Sequence, residues 1–480
     1  MSLQRRKKPH SLERGSDAAR CAMVNFKVVS VNIRRLQLKA MYFKYLGLIF
    51  LWGLIVIDIE SLEKNIPSGV VTSIDIKGDK ILFDVSLEFT EPIKGEICIW
   101  LNPGLSLNEI TTRSSYRISS EISKDPDIGA ININKINLVI DQPVNSIRIV
   151  YQGLLKPLLM SVWGSHGNFH IARGETLWYP FTTSCQSILW GLLLCEHMIS
   201  VMRFKLRGEL SVASSIEYQG VEDGERVYVS RLKTGCLEFI AAPLKINSYD
   251  GEKIVDVYSL GEPIYSAKQI HDVIMEIENV FEELFGVKPP YSQYSIVFLE
   301  KTGGFKAGSL IVLDKDLVKT VNSLKANMVH ELTHTWWGGF IKLCSLDTVW
   351  LMEAIPEYMT TIILNRLGIV KQQNYIGKLL EQAREISKQE GYKPPTNIWI
   401  PLTDIEDRSW RVVGEAILHE IAGEVGENKF NEIIGSHMKR SMAITRRYCM
   451  KWGELLNELK AASEKVVNIL KIYRVISKST

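Results

Sequence analysis

His330-Glu331-Leu332-Thr333-His334 sets two imidazoles four residues apart, with a carboxylate beside the first. On an α-helix, positions i and i+4 differ by about 40° around the axis and rise about 6 Å, so both rings can reach one metal ion from the same face. Glu331 lies about 100° further round. It is too far to be a natural third ligand and near enough to act on a water at the metal. The arrangement suits metal-assisted hydrolysis, in which the metal polarises a carbonyl and acidifies water while the carboxylate moves the proton. Lys325 to Val329 leads in with helix-compatible residues, and Gly338-Gly339 stands where a C-terminal stop is expected.

A catalytic zinc ion takes three protein ligands and keeps one position open. Phe340 to Thr348 reads as a connection, and Val349 to Leu367 as a second helix ended by Gly368. Glu353 falls in the first turns of that helix, with eighteen residues between it and His334. An antiparallel return would bring its carboxylate opposite the imidazoles. By itself it also reads as a solvent-facing helix carboxylate. Its neighbours Trp350-Leu351-Met352 and Ala354-Ile355-Pro356 are apolar, however, and an unpaired carboxylate there would be costly.

His330 to Gly338 (HELTHTWWG), followed by Trp350 to Tyr358 (WLMEAIPEY), resembles the zinc signature of the aminopeptidase N-like (membrane alanyl aminopeptidase) family of gluzincin metallopeptidases. The resemblance implies one Zn2+ ion bound by His330, His334 and Glu353, with Glu331 as general base and peptides or proteins as substrates. Weaker similarity runs from about Tyr151 to Lys460. Trp178-Tyr179-Pro180 and Gly235 to Leu244 look like the end of the family's N-terminal β domain. Phe285-Gly286 with Pro289-Pro290-Tyr291 looks like the approach to its catalytic domain.

The chain also departs from the family pattern. Gly303-Gly304-Phe305-Lys306-Ala307 stands where the family has Gly-Ala-Met-Glu-Asn, which makes Gly303, Gly304 and Lys306 substrate-binding candidates. Lys306 then replaces the glutamate that holds a free amino group, and a cation repels an ammonium. The alternative for Lys306 is an exposed loop lysine. Arg411, three residues before the helix-opening Gly414, takes the place of the tyrosine that stabilises the oxyanion. A permanent cation can serve there as a catalytic group, or be a surface arginine in an inactive chain. Tyr375 and Tyr392 could substitute only by a different loop path. Thr360 stands where many relatives carry a glutamate supporting a zinc histidine. Glu357 is either its substitute or an exposed helix glutamate. The expected function is a zinc-dependent peptidase, aminopeptidase by family default. The alternatives are an endopeptidase or other amide hydrolase, and a zinc-binding pseudoenzyme that binds peptide or a partner.

With 480 residues, 46% of them hydrophobic, the chain can bury a large core in two or three domains. A net charge of +3 with dispersed basic residues indicates no nucleic-acid surface. Seven scattered cysteines without a Cys-x-x-Cys pair give neither a metal pattern nor a disulfide framework, and read mostly as small buried hydrophobes. Residues 1–67 are a basic leader followed by an apolar run from Tyr45 to Ile57. Residues 41–57 suit an export signal or a marginal membrane anchor, with Lys44 snorkelling to the interface. The basic flank would leave the remainder outside the cytoplasm. An over-extended start before Met41 and a cytoplasmic protein are the alternatives. Oligomeric state has no signature.

The expected fold class is α+β: an N-terminal all-β, sandwich-like domain over 68–247, then a thermolysin-like, mainly α catalytic domain over 248–480. Val71 to Ile76, Ile81 to Phe89, Gly95 to Leu101 and Ile147 to Tyr151 read as strands between turn residues. Ser187 to Cys195 reads as a buried strand or loop. Ile270, Val273, Ile274, Ile277, Val280, Phe281 and Leu284 trace one helical face. Tyr294 to Leu299 and Leu310 to Leu313 suggest strands at the edge of the catalytic domain. After Gly414 the pattern is helical, ending with Trp452 to Ile476. That leaves no room for the family's large C-terminal helical domain. The expectation is a short form with a more open cleft, or one closed by another subunit.

Overall fold

The computed structural model describes residues 67–476 except 78–79, 125–131, 159–163, 184–198, 207–208, 231, 234, 301–303, 344–346, 399–402 and 445–447. The apolar segment at 41–57, Ser187 to Cys195 and Gly303 lie outside the described residues. Among those described, no helix is long and apolar enough to cross a membrane.

Alternation of side chains builds the first half of the molecule. Gly69–Lys77 buries Val70, Thr72, Ile74 and Ile76. These lie opposite Leu87, Val85, Phe83 and Ile81 of Lys80–Leu101, so one face of the pair is buried throughout and apolar but for Thr72. The sequence reads this second strand as two, yet it runs unbroken, with its register to Asn132–Gly153 shifting between Glu88 and Gly95. Pro92 sits in that irregularity, where a missing N–H is tolerated. Among the described residues the sheet has nine strands. Its main path is Glu217–Glu222, Glu225–Ser230, Ile199–Leu206, Gly69–Lys77, Lys80–Leu101, Asn132–Gly153 and Leu105–Thr111. A four-stranded sheet of Ser211–Ser214, Phe239–Ala242, Phe169–Ala172 and Ser165–His166 lies against it. Trp178 joins the two: its ring meets Phe83 and Phe239, and its indole N–H donates to Leu237 O at 2.8 Å.

The second half opens with a five-stranded sheet, in spatial order Lys245–Asp250, Ile254–Ser259, Gln293–Leu299, Leu310–Asp314 and Phe305–Ala307. The three middle strands are parallel and the outer two antiparallel. Gln293–Leu299 is therefore central in this sheet. All seven of its residues are buried because both faces are covered. One face, carrying Ile296, Phe298, Ile311 and Leu313, packs on helix α1 (Ala267–Phe285). The other, carrying Val297, Leu299, Leu310 and Val312, packs on Ile171, Ala213 and Ile240 of the four-stranded sheet. The β half is thus built into the wall of the helical half.

Helix α1 follows the expected apolar face and is closed by a Ser266/Gln269 capping box and by Gly286 at φ +68°. Next come α2 (Val321–Thr333), α3 (Leu351–Arg366), α4 (Gln372–Lys388) and the short α5 (Asp404–Arg408). A π-helical turn, Ser409–Val413, leads into α6 (Gly414–Val425), followed by α7 (Glu427–Ala443), α8 (Trp452–Ala462) and α9 (Val466–Ile472). The single pattern read from Trp452 to Ile476 is divided at Ser463, which is extended at φ −156°. The connection after α2 contains a short strand, Ile341–Leu343, paired in parallel with Tyr448–Met450. The protein is an α+β molecule, β-sheet first and mainly helical after. A further correction concerns the cysteines: Cys98 and Cys449 are each disulfide-bonded, with partners outside the described residues. Spacing along the chain gave no sign of these links, because tertiary proximity makes them.

Candidate metal centre and active site

Helix α2 presents the two histidines. Thr320 caps it by accepting from Ser323 N, and the helix ends at Thr333 with His334 as its C-cap. The end falls short of Gly338, where the sequence suggested a stop. The chain tightens there through i→i−3 bonds, Thr335 N to Leu332 O and Trp336 N to Thr333 O, and Trp336 and Trp337 turn inward, fully buried. Gly338, at φ +89°, serves the following turn instead. That turn also orients a ligand: His334 Nδ1 lies 3.2 Å from Trp337 O and donates to it, leaving the Nε2 lone pair facing the site.

Helix α3 returns against α2 and brings up Glu353. His330 Nε2 is 3.2 Å from His334 Nε2 and 3.4 Å from Glu353 Oε2, and His334 Nε2 is 4.0 Å from Glu353 Oε1. One ligand atom from each of the three lies within 4.8 Å of the others. Ligands about 2.0–2.1 Å from a tetrahedral zinc stand about 3.3 Å apart, so the donors are spaced as that ion requires. Glu331 Oε2 is buried without a hydrogen-bond partner among the described residues. A buried, unsatisfied acceptor beside the three donors fits a site built around a cation and a reacting water. Two neutral imidazoles and one carboxylate are a zinc donor set.

The charges are strongly coupled. Burial alone would lower the His330 pKa, but Glu357, Glu353 and Glu331 hold it up at about 9. Burial pulls His334 down to about 4. Burial pushes Glu331 up to about 7, with Glu353 adding to the rise and His330 opposing it. Glu353 stays well below the usual carboxylate range, since Arg411 and the histidines outweigh its burial.

The other candidates sit as follows. Gly304 lies directly on the general-base candidate: a Cβ there would stand 2.3 Å from Glu331 Oε1. Lys306 is neither an exposed loop lysine nor aimed at a substrate ammonium. It lies on the edge strand Phe305–Ala307, donates to Gly308 O at 2.6 Å and stands 4.6 Å from the Tyr291 ring centre. Arg411 Nη1 is 2.7 Å from Glu353 Oε2 and 3.1 Å from Glu357 Oε1, so it engages carboxylates at the site. Glu357 is not an exposed helix glutamate: its side chain is 16% exposed and its Oε1 faces His330 Nδ1 at 3.7 Å. The Thr360 hydroxyl is buried without a hydrogen-bond partner among the described residues. Tyr375 donates to Glu415 and Tyr392 to Tyr473 O, so both hydroxyls are committed elsewhere. Two residues had no signal in the sequence. Arg173 comes from the β half and lies 4.0 Å from the Phe305 ring centre, close enough to Glu331 to lower its pKa. Glu415 is buried, accepting from Thr361 and Tyr375 behind Glu357.

A helix bearing His-Glu-x-x-His, faced by a glutamate from the next helix, is the donor arrangement of a mononuclear zinc site. Residues 271–474 match the profile of the peptidase family M1 domain. The chain is similar to Aminopeptidase 2 of Candida albicans, 22% identical over 262 residues, which are 50% of this chain and 28% of that protein. Probable aminopeptidase 2 of Sulfurisphaera tokodaii is 23% identical over 205 residues, 38% of this chain and 26% of the relative. The chain thus matches little more than a quarter of the length of these relatives. An M1 zinc metallopeptidase from Deinococcus radiodurans superposes with a TM-score of 0.65, covering 86% of this chain and 95% of that one at 15% identity. A mutant of it bound to a Tyr-ser-ala substrate superposes with a TM-score of 0.64, over 87% and 96% at 15% identity. At that identity the likeness concerns the fold.

Proposed function

We propose that this protein is a zinc-dependent peptidase of the aminopeptidase N-like branch, hydrolysing peptide bonds in peptides or proteins. The observation that carries the reading is the convergence of His330, His334 and Glu353 within 4.8 Å, with the Glu331 carboxylate beside them. A bound zinc ion supplies Lewis acidity to the scissile carbonyl and to water. Glu331 accepts the proton as the water oxygen bonds to the carbonyl carbon, then delivers it to the departing amine nitrogen as the C–N bond breaks. Gly304 keeps that carboxylate under a backbone wall, which limits its rotation.

The branch assignment draws on the HELTHTWWG and WLMEAIPEY stretches. Location outside the cytoplasm, with membrane association through residues 41–57, belongs to the same proposal. The disulfide-bonded Cys98 and Cys449 support it, because such bonds persist in oxidising compartments.

The test is hydrolysis of free-amine and N-blocked peptide libraries by the zinc-loaded protein, with Glu331→Gln as control. The variant is expected to keep its zinc and lose about 10²–10⁴-fold in kcat. Equal inactivity of both proteins would reject the enzyme. Cleavage confined to blocked peptides would reject the aminopeptidase assignment.

A further inference from the structure

The π-helical turn Ser409–Val413 lies where α5 would otherwise run directly into α6, and it carries Arg411 across to α3. There a single nitrogen, Nη1, contacts Glu353 Oε2 at 2.7 Å and Glu357 Oε1 at 3.1 Å, while Nε lies 3.4 Å from Asp407 Oδ1. The Glu357 oxygen that meets Arg411 is also the one facing His330 Nδ1 at 3.7 Å. One guanidinium nitrogen and one carboxylate oxygen thus connect two of the three metal-ligand residues.

The arrangement answers an electrostatic problem. Glu353 and Glu357 are one helical turn apart on the same face of α3, and their side chains are only 17% and 16% exposed. Two like charges so placed repel, and solvent screens them weakly. Arg411 is the cation between them.

We propose that Arg411 is a positioning residue of the metal centre, holding Glu353 in ligand geometry by bridging it to Glu357 and through it to His330. The inference rests on the zinc-peptidase reading. It differs from the expectation that Arg411 acts on the reacting oxyanion. Two effects of removing Arg411 oppose each other: a cation beside the metal disappears, but two crowded carboxylates lose the group that sets them. The donors already stand at ligand spacing with Arg411 in contact, so the second effect governs.

The experiment measures zinc affinity by competition with a chromophoric chelator, on full-length wild type, Arg411→Gln, Arg411→Lys and Glu357→Gln, with thermal melts confirming folding. Arg411→Gln is expected to weaken zinc about 10–100-fold, the range for loss of a group that orients a ligand. Arg411→Lys, which retains a cation able to donate to both carboxylates, should recover most of the loss. Because Arg411 acts through Glu357, Arg411→Gln should cost less in a Glu357→Gln background than in wild type. Unchanged or tighter zinc binding by Arg411→Gln, with kcat alone reduced, would overturn the proposal. If Arg411→Gln does not fold, Glu357→Gln takes its place with the same expectation and the same overturning result. A wild type that binds no zinc would instead reject the zinc-peptidase reading itself.

Discussion

Glu331 and Lys306 show how burial sets the chemistry of single residues. Both lie beside the short strand Phe305–Ala307, and both have pKa values displaced to about 7, from opposite directions. For Lys306, burial favours the neutral amine, and the nearby Glu331 and Glu278 only partly oppose it. Between about pH 7 and 10.5 the unfolded chain therefore binds more protons at this residue than the folded one. Stability rises with pH across that window, and the penalty is fully present below it. Replacing Lys306 with Met removes the charge at similar length. The melting temperature of Lys306→Met relative to wild type should be highest at pH 6 and fall by roughly 2–4 °C towards pH 10. A difference that does not change with pH would contradict this account.

At the scale of elements, the site depends on how closely α3 and α6 approach. Gly414 opens α6, and a Cβ there would lie 2.8 Å from Ala354 Cβ and 3.1 Å from Trp350 Cε3. Ala354 directly follows the ligand Glu353. A larger side chain would push α3 away and move the carboxylate with it. Gly414→Val is expected to destabilise the protein by about 1–3 kcal/mol and to weaken zinc roughly tenfold. Chemical denaturation and chelator competition measure the two effects, and a variant unchanged in both would show that the helices can separate without cost. The π turn before Gly414 has a related role. Without the extra residue it accommodates, Arg411 would lie on a different side of the helix from the one that meets α3.

Across the whole molecule, the five-stranded sheet is covered by α1 on one face and by the four-stranded β sheet on the other, so the β half stiffens the wall beside Glu331. Gly308, at φ +54°, lies against Ser215 of the β half, and Ser309 N donates to Ser215 O at 3.0 Å. Cys98 in the β half and Cys449 in the helical half are each disulfide-bonded. Loss of a native disulfide costs about 2–5 kcal/mol in a small secreted domain, so a reductant should lower the melting temperature by roughly 5 °C or more. Identical melts with and without reductant, together with a full count of free thiols in the unreduced protein, would remove the structural support for export.

Sequence by itself determined what depends on local period and residue chemistry. The four-residue spacing of His330 and His334 needs only a helix to place both rings on one face. The apolar faces of α1 and the strand at Gly69–Lys77 were legible for the same reason: burial of alternate or every third and fourth residue leaves a periodic trace. The tertiary structure decided what depends on proximity between distant segments. Arg411 read as a group for the reaction until the π turn placed it on Glu353 and Glu357. Lys306 read as a substrate contact until its strand turned the ammonium to Gly308 O. Arg173, Glu415 and the cross-linked cysteines left no local trace, because a contact between segments distant along the chain imposes no period on it.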